Sequence, residues 1–248
     1  MTVIAVMNNK GGVGKTTTVQ WIAPHLFDKE GVNFFVDLDP QANLTEQLTS
    51  DSFKWNSGDW LLDKCVDENG GIPIDNWDGM TIASIRLRID DIPCRLIPAS
   101  SELESSGLQL ATKLLSHTYL NNRLFKQEES TVIIDCPPSL GILTANAITA
   151  ADLIIIPSTP EESSIIGAQK TIGLINELRN ADVTNAKILG VIAFSVNERA
   201  NEHRVGVRRL AELGVPLLGI VPQRQGVYAE EQTKEFYRLI VDGMREVA

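Results

Sequence analysis

The stretch that decides the fold is KGGVGKTT, residues 10–17, which lies between an apolar run at residues 2–7 and a segment with helical periodicity. A strand, a glycine-rich turn and a helix in this order are typical of a phosphate-binding loop. The glycines let successive backbone N–H groups point at one phosphate, and the helix adds its positive N-terminal dipole. We therefore predict a nucleotide site formed by Lys10, Gly11, Gly12, Val13, Gly14, Lys15, Thr16 and Thr17.

The residue types in this loop indicate how a magnesium nucleotide would be held. Lys15 would reach the β- and γ-phosphates, and the Thr16 hydroxyl would be a ligand of Mg²⁺. The alternative, a glycine-rich turn with unrelated lysines, requires all of these residues to coincide by chance. The loop departs from the ordinary G-x-x-x-x-G-K-[ST] pattern, because Asn9 replaces the first glycine and a second lysine, Lys10, opens it.

The rest of the chain alternates between short apolar runs and helical patterns. Four runs, VIAV, TVIID, LIIIP and ILGVIAF, are almost continuously apolar, which is typical of strands buried on both faces of a parallel sheet. The alternation predicts an α/β fold, a doubly wound and mostly parallel sheet flanked by helices, of the P-loop NTPase type. The predicted strands are residues 2–7, 33–38, 94–98, 131–135, 153–157, 188–194 and 216–221.

We assign residues 1–248 to a single domain of this type. Residues 51–91 interrupt the alternation and are rich in Gly, Asp, Asn and Trp, so we interpret them as a variable insertion, either an elaborated sheet edge or a lid. The first helix is expected to be kinked by Pro24 and capped by Gly31. Further helices are predicted at residues 101–115, 141–150, 164–179, 202–213 and 229–247.

Composition and charge argue against several classes of protein. No apolar run in the 248 residues reaches the roughly 18 to 20 that span a bilayer, and no signal peptide is expected, so we expect a cytoplasmic protein. The three cysteines share no C-x-x-C spacing, which argues against a disulfide framework and a zinc site. The formal net charge is −10, so any binding to DNA or anionic lipid must come from a local basic patch.

Three carboxylates end predicted strands, at the sheet edge where nucleotides bind in such folds. Because alternate positions of a strand face the same way, we expect Asp37 and Asp39 to project together toward the phosphates. Such a pair can position the attacking water and complete the second coordination shell of Mg²⁺. A simple turn at Asp39-Pro40 is the alternative. Asp135 ends an apolar strand, and the cost of burying its charge predicts Mg²⁺ nearby, reached through a water.

The loop resembles that of the deviant Walker A ATPases of the ParA and MinD family, whose mark is K-G-G-x-G-K-T-[ST]. VDLDPQANLT (36–45) is similar to the second motif of that family, and VIIDCPPSLG (132–141) is similar to its Walker B segment. LIPASSEL (96–103) and IIIPSTPEE (154–162) resemble the ParA branch in particular. These motifs are spread over most of the chain, which makes the resemblance specific.

This resemblance implies an ATPase that uses ATP and Mg²⁺. It implies that Asp39 orients or activates the water, and that Lys15 and Lys10 stabilise the phosphates. Lys10 would cross to the nucleotide of a second copy in a face-to-face, ATP-dependent homodimer, although a solvated surface lysine is the alternative. The metal site would comprise Thr16, Asp39 and Asp135. Relatives hold adenine at places occupied here by Asn197, Pro222, Gln223 and Arg224, and turn formation explains these residues equally well.

The family contains several functional classes: a partition ATPase, a membrane-associated positioning ATPase like MinD, and a metabolic enzyme such as an iron-sulfur reductase component or an amide-forming ligase. The cysteines are poorly placed for an intersubunit iron-sulfur cluster. A membrane-binding C-terminus should be a basic amphipathic helix, whereas residues 229–247 are acidic. We expect that helix to pack on the sheet through Phe236, Leu239, Ile240 and Met244. We therefore favour a partition ATPase without membrane binding, and the MinD-like class is the alternative.

Arginines on or near the helix predicted at residues 202–213 are the candidate DNA-binding surface. Arginine side chains can contact DNA phosphates without reading bases, which gives salt-dependent and sequence-independent binding. A solvated helix face, balanced by nearby glutamates, is the alternative. The arginines are Arg199, Arg204, Arg208, Arg209 and Arg224.

The resemblance also implies partners and a location. The ATP-bound dimer would bind non-specific DNA and associate with the nucleoid, and a ParB-like or adaptor protein would stimulate hydrolysis. The cargo would be a plasmid, a chromosome region or another assembly. Longer ParA relatives carry an N-terminal helix-turn-helix, and because the first predicted strand starts at Thr2 we expect no operator-specific autorepression.

Overall fold

The computed structural model has an eight-stranded sheet at its centre. The structure describes residues 1–27, 32–50, 56–62, 74–77, 80–83, 85–89, 91–124, 130–223 and 235–242. The strands are β1 (Thr2–Val6), β2 (Val32–Asp37), β3 (Ile74–Trp77), β4 (Met80–Ala83), β5 (Ile85–Ile89), β6 (Ile92–Ile97), β7 (Ser130–Asp135), β8 (Leu153–Ser158), β9 (Lys187–Val196) and β10 (Leu217–Pro222). Their order in the sheet is β10-β9-β8-β1-β7-β2-β6-β5, and β3 pairs separately with β4.

Helices connect the parallel strands, so the predicted fold class, an α/β fold with a mostly parallel sheet flanked by helices, is confirmed. The helices are α1 (Lys15–Leu26), α2 (Asn43–Leu48), α3 (Ser57–Leu61), α4 (Leu103–Ala111), α5 (Tyr119–Arg123), α6 (Ile142–Ala150), α7 (Glu162–Asn180), α8 (Asn201–Ala211) and α9 (235–242). A 3₁₀ turn, Ser116–Thr118, precedes α5. Within the described ranges, no helix is both long enough and apolar enough to cross a membrane.

Strand β1 lies in the middle of the sheet and fixes where the phosphate loop emerges. It pairs in parallel with β7 on one side and with β8 on the other, and Ile4, Ala5 and Val6 are fully buried. Continuous apolar sequence suits this position because both faces of the strand are covered. Asp135 lies opposite Val6 in the pairing of β7 with β1, and opposite Asp37 in its pairing with β2. The register therefore brings two acidic strand ends beside the loop.

The predicted parallel strands are all present, whereas β5 was not predicted. It pairs antiparallel with β6 at the edge of the sheet, through a turn at Asp91 whose φ is 66°. Its sequence, IRLRI, alternates between apolar and charged residues, as expected of an edge strand with one solvated face. This alternating pattern differs from the continuously apolar runs that predict the parallel strands.

Two predicted helix ends are wrong. Helix α1 ends at Leu26 with Phe27 in an extended conformation, so the predicted cap Gly31 is not the end of the helix and lies outside the described residues. Pro24 is in the last turn of α1 and has no N–H to donate to the carbonyl oxygen of Gln20, so the helix lacks this one bond shortly before it ends. The helix predicted at 101–115 ends at Ala111, and the chain turns at Leu115, whose φ is 52°.

Helix α9 packs against α1 and the sheet. Tyr237 is fully buried, and its hydroxyl is 3.0 Å from Thr18 Oγ1 in α1. The predicted packing is correct for Ile240, which is buried, but wrong for Leu239, which is 60% exposed. Met244 lies outside the described residues. Leu239 is exposed because it lies two positions after the buried Tyr237, and this spacing places the two side chains on opposite faces of α9.

Candidate nucleotide-binding site

The phosphate loop has the backbone geometry that its glycines predict. Gly12 and Gly14 have φ of 73° and 90°, in the left-handed region that side chains disfavour. Gly14 also lies against the ring of Phe194 in β9. A Cβ added at Gly14 would be 2.7 Å from the ring carbons, so no side chain fits at this position. Helix α1 starts directly after it, and no side chain in the described residues caps its first turn. The N–H groups there are consequently available to phosphate oxygens.

Lys15 is held at the floor of this loop. Its side chain is 6% exposed, and Nζ donates a hydrogen bond to the carbonyl oxygen of Lys10 at 3.0 Å. Burial lowers the pKa of Lys15, while the nearby carboxylates of Asp135 and Asp39 act in the opposite direction. Lys10 itself is exposed. The two lysines are therefore in different environments, one inside the loop and one at its mouth.

Thr16 and Asp135 meet at the edge of the sheet. Thr16 Oγ1 donates to Asp135 Oδ2 at 2.6 Å, whereas the buried Oδ1 finds no hydrogen-bond partner among the described residues. Burial raises the pKa of Asp135 to about 8, and the nearby Asp37 adds to the effect. A cation close to these atoms would stabilise the ionised carboxylate. The pair therefore fits the magnesium that the sequence predicts.

Additional magnesium ligands would come from the nucleotide and from water. Among the residues that the structure describes, no group of three or more His, Cys, Asp and Glu side chains could hold a metal ion. Mg²⁺ in nucleotide sites is commonly held by one or two protein groups together with phosphate oxygens and waters. The sparse protein ligand set is thus the one expected for a magnesium nucleotide.

Asp37 serves the backbone and does not project with Asp39 toward the phosphates. Its carboxylate accepts hydrogen bonds from the Asp39 N–H at 3.0 Å, the Thr45 N–H at 2.9 Å and the Thr45 hydroxyl at 2.7 Å. It is fully buried, and burial raises its pKa to about 6. Strand β2 ends at Asp37, so strand alternation does not extend to Asp39. Asp37 fixes the turn that carries Asp39.

Asp39 lines a cleft of about 290 Å³ beside the phosphate loop. Its side chain is 6% exposed, and Oδ1 accepts the N–H of Gln41 at 3.0 Å. Gln41 and Asn43 belong to the motif at residues 36–45, which assigns them no role. No sequence motif marks Phe194, because its contact with the loop depends on how β9 packs. The cleft is lined by Gly11, Gly12, Gly14, Lys15, Thr16, Thr17, Asp39, Gln41, Asn43, Gln47, Pro138 and Phe194.

The different roles of Asp37 and Asp135 can be tested by asparagine variants. We expect Asp37→Asn to lower the free energy of unfolding by about 2 to 5 kcal/mol, because in either orientation the amide NH₂ group would face a donor, the Asp39 N–H or those of Thr45. Asp135→Asn should not destabilise the nucleotide-free protein. Urea unfolding monitored by circular dichroism, without Mg²⁺ or nucleotide, measures both. Equal destabilisation by the two substitutions would contradict this distinction.

The pH dependence gives an independent check on Asp135. Its pKa is 3.8 in the absence of perturbation and about 8 in the fold, so the native state retains a proton that the unfolded chain releases. Stability without Mg²⁺ should therefore fall as pH rises between these values. Asp135→Asn removes this contribution, so the difference in stability between variant and wild type should grow from pH 4 to pH 8. A constant difference would show that burial does not disfavour the charge.

Three of the predicted adenine residues lie at the carboxyl ends of β9 and β10: Asn197 follows β9, Pro222 is the last residue of β10, and Gln223 follows it. Asn197 Oδ1 accepts the N–H of Arg199 at 3.1 Å, which is the turn formation considered as its alternative. The Gln223 N–H donates to the Val196 carbonyl oxygen at 2.8 Å and ties the two strand ends together. A role for Asn197, Pro222 and Gln223 in binding adenine stays a prediction, and Arg224 lies outside the described residues.

The candidate DNA surface lies on α8 and the turn before it. Arg199, Arg204 and Arg208 are exposed, whereas Arg209 forms an ion pair with Glu162 in the first turn of α7. Helix α8 also packs closely on the turn between β8 and α7. A Cβ added at Gly206 would be 2.1 Å from the Pro160 carbonyl oxygen, so only glycine fits there. The cationic surface of α8 is thus carried by the arginines that project away from α7.

Comparison with known proteins finds relatives that match most of the chain. A family model described as an AAA domain matches residues 1–189. The chain is 30% identical to the sporulation initiation inhibitor protein Soj of Bacillus subtilis over 213 residues, 85% of this chain and 78% of that protein. It is also 30% identical to the chromosome partitioning protein ParA of Myxococcus xanthus over 216 residues, 80% of this chain and 66% of that protein.

The fold is shared with a solved structure of cobyrinic acid a,c-diamide synthase from Mycobacterium smegmatis, with bound ATP analogue and magnesium. The TM-score is 0.79 at 28% identity, over 98% of this chain and 94% of that one. Its ligands are the two that the sequence predicts for the loop described above. Because the family model covers residues 1–189 and the Soj match extends over most of both proteins, the chain belongs to the ParA/MinD family of deviant Walker A ATPases.

Proposed function

We propose that this protein is a ParA-type partition ATPase that segregates or positions a plasmid, a chromosome region or another cargo. Mg²⁺ and ATP drive formation of a sandwich dimer, the dimer binds DNA without sequence preference, and slow hydrolysis stimulated by a ParB-like or adaptor protein releases it. The observation that carries the proposal is the loop with two lysines, Lys15 buried and Lys10 exposed, beside Asp39. The relationship to Soj and ParA supports it.

Binding of ATP relies on the loop and the first turn of α1. The N–H groups after Gly12 and Gly14 bind phosphate oxygens, and Lys15 exchanges its bond to the Lys10 carbonyl for the β- and γ-phosphates. Thr16, Asp39 and Asp135 would hold Mg²⁺, which would neutralise charge on the phosphates. Lys15 is already in the loop, so little reorganisation accompanies the exchange.

Hydrolysis relies on Asp39 and on electrostatic stabilisation. Its carboxylate is held by the Gln41 N–H in the cleft that contains the loop glycines, where it can orient a water toward the terminal phosphate. Lys15 and Lys10 stabilise charge that develops on the phosphate oxygens. With no partner protein present, we expect slow turnover.

Dimerisation through the nucleotide edge is supported by exposed apolar surface next to it. A second cleft, of about 430 Å³, shares Asp39 with the phosphate cleft and is lined by residues of α4, of α6 and of the loops that follow β2 and β7. Leu108 in α4, which belongs to this lining, is 71% exposed. Such residues commonly mark interaction surfaces when they cluster. A second copy placed face to face would cover them while Lys10 reaches its nucleotide.

DNA binding is assigned to the arginines of α8 in the dimer. Because the net charge is −10, a monomer should bind DNA poorly, whereas a dimer would present two copies of Arg199, Arg204 and Arg208. Two weak sites joined in one particle bind more tightly through a high effective concentration. ATP would thereby switch DNA binding on, and the affinity would fall with salt along a straight line in log-log form.

Charge reversal on α8 tests this assignment. We expect Arg204→Glu with Arg208→Glu to weaken binding of the ATP form to random duplex DNA by about tenfold or more, because each dimer loses several phosphate contacts. ATP-dependent dimerisation should be unchanged. Fluorescence anisotropy with labelled DNA over a range of salt concentrations measures the affinity. Arg179→Glu with Lys187→Glu is the matched control, since these exposed residues lie at the far end of α7 and at the start of β9.

Co-sedimentation distinguishes the partition ATPase from its MinD-like alternative. The ATP form is expected to sediment with random-sequence DNA and not with anionic liposomes. If it binds liposomes and not DNA even at low salt, the partition function is contradicted and a membrane-associated positioning role replaces it. The buried side chains of α9, among them Tyr237 and Val241, favour the first outcome, because they are engaged with the protein core.

A further inference from the structure

Helix α7 contacts the start of the phosphate loop, and we propose that Gly167 and Thr171 are positioning residues for Lys10. The inference rests on the proposed function, since it concerns the lysine that would cross to the partner's nucleotide. Both residues lie on the buried face of α7. They act on Lys10 through the main chain of residues 8–10, and neither belongs to the loop motif.

The first contact is a pair of hydrogen bonds that share one hydroxyl. The Asn9 N–H donates to Thr171 Oγ1 at 3.1 Å, and this hydroxyl donates to the Gly167 carbonyl oxygen at 2.9 Å. Thr171 is fully buried, so the bond to Gly167 fixes the direction of its proton. The acceptor lone pair then faces Asn9. The residue that precedes Lys10 is therefore tied to α7.

The second contact requires that residue 167 has no side chain. A Cβ on Gly167 would lie 2.5 Å from Asn8 Oδ1 and 3.2 Å from both the Asn9 carbonyl oxygen and Lys10 Cβ. Asn8 cannot swing aside, because it is 1% exposed and its Nδ2 donates to the Pro157 carbonyl oxygen at 2.8 Å. A methyl group at position 167 would consequently displace Asn9 and Lys10 at the start of the loop.

These contacts hold the main chain of Lys10 while its side chain stays exposed. The Asn9 N–H before it binds Thr171, and its Cβ packs on Gly167. These two contacts remain when ATP replaces the bond between its carbonyl oxygen and Lys15 Nζ. The direction of the Cα–Cβ bond sets the region that a long lysine side chain can reach. A displacement of about 1 Å in a group that contacts the reacting phosphates can lower a rate about 100-fold.

Alanine at Gly167 and its matched control test the steric contact. We expect Gly167→Ala to lower ATP turnover at least tenfold and to weaken ATP-dependent dimerisation, with ADP affinity of the monomer unchanged because Gly14, Lys15 and Thr16 are untouched. Gly173→Ala on the same helix is the control, since a Cβ there meets nothing within 4 Å. Wild-type turnover and dimerisation of Gly167→Ala would overturn the proposal.

The hydroxyl contact is tested by a rescue series. Thr171→Val keeps the shape but removes the acceptor, so turnover should fall several-fold and the Asn9 amide should exchange hydrogen faster. Thr171→Ser should restore both. Hydrogen exchange at Asn9 does not depend on catalysis, so it reports on the anchoring even if the proposed function is wrong. Unchanged exchange in Thr171→Val would overturn the anchoring.

A double-mutant cycle separates the inference from the proposed function. If Gly167 acts through Lys10, Gly167→Ala should cause no further loss of turnover or dimerisation in the Lys10→Ala background. Equal losses in both backgrounds would overturn the positioning role and leave the proposed function in place. If Lys10→Ala alone dimerises and turns over ATP like the wild type, the proposed role of Lys10 fails, and the positioning role fails with it.

Discussion

Replacing Asp39 with alanine is expected to lower ATP turnover by about 100-fold to 10,000-fold, the range that a positioned acid or base contributes. ATP binding should persist, because Lys15, Thr16 and the loop N–H groups do not depend on this carboxylate. Since dimer release would follow hydrolysis, the variant should remain dimeric with ATP. Phosphate release at saturating Mg²⁺ and ATP measures turnover, and light scattering measures the dimer.

A nearby carboxylate provides the control for Asp39. Glu104 lines the adjacent apolar cleft and is exposed, but it is absent from the lining of the phosphate cleft as the structure describes it. Glu104→Ala should therefore turn over ATP at nearly the wild-type rate. If Asp39→Ala hydrolyses ATP as fast as Glu104→Ala, then Asp39 does not position the water, and its hydrogen bond to Gln41 is structural only.

Removal of the Lys10 side chain is expected to abolish the nucleotide-dependent dimer at micromolar protein concentration. In a face-to-face dimer the residue acts twice, and a hydrogen bond to a charged group contributes about 1.5 to 3 kcal/mol. Loss of both copies amounts to about 3 to 6 kcal/mol, or a dissociation constant raised at least 100-fold. Light scattering with and without ATP measures this effect.

The control for Lys10 is a lysine at the opposite end of the sheet. Lys187 is exposed at the start of β9, so Lys187→Ala removes the same charge from a surface away from the nucleotide. It should dimerise with ATP like the wild type. A Lys10→Ala protein that still dimerises normally, or a wild-type dimer of equal strength without nucleotide, would refute the sandwich arrangement.

Local sequence patterns predict the fold, the phosphate loop and the carboxylate beside it. The loop, the apolar strand β1 and the strand end at Asp135 are each specified by neighbouring residues, and the parallel sheet follows from their repetition. The edge strand β5 was missed because its alternating pattern resembles exposed sequence. Helices α3 and α5, of five residues each, are too short to show a helical period.

Contacts between distant parts of the chain account for the rest. Asp37 was expected to share a face with Asp39, but β2 ends at Asp37, and the chain then turns back. The turn brings the N–H and hydroxyl of Thr45 to the Asp37 carboxylate, to which both donate hydrogen bonds. Phe194 and Gly167 contact the phosphate loop from β9 and α7, about 150 to 180 residues later in the sequence. No local pattern marks these two positions, because the contacts depend on tertiary packing.

The position of β1 has a consequence for synthesis of the protein on the ribosome. This strand and its loop emerge before the rest of the sheet, and both neighbours of β1 are encoded much later: Thr2 pairs with Thr131, and Ile4 pairs with Leu153. A nascent chain shorter than this cannot complete the sheet around β1, whose buried apolar residues stay exposed to solvent and chaperones meanwhile. The long separation also implies slow folding, because distant segments must meet before their contacts stabilise the sheet. The phosphate loop is thus translated before most of the sheet that carries it, and it is among the last parts of this fold to be assembled.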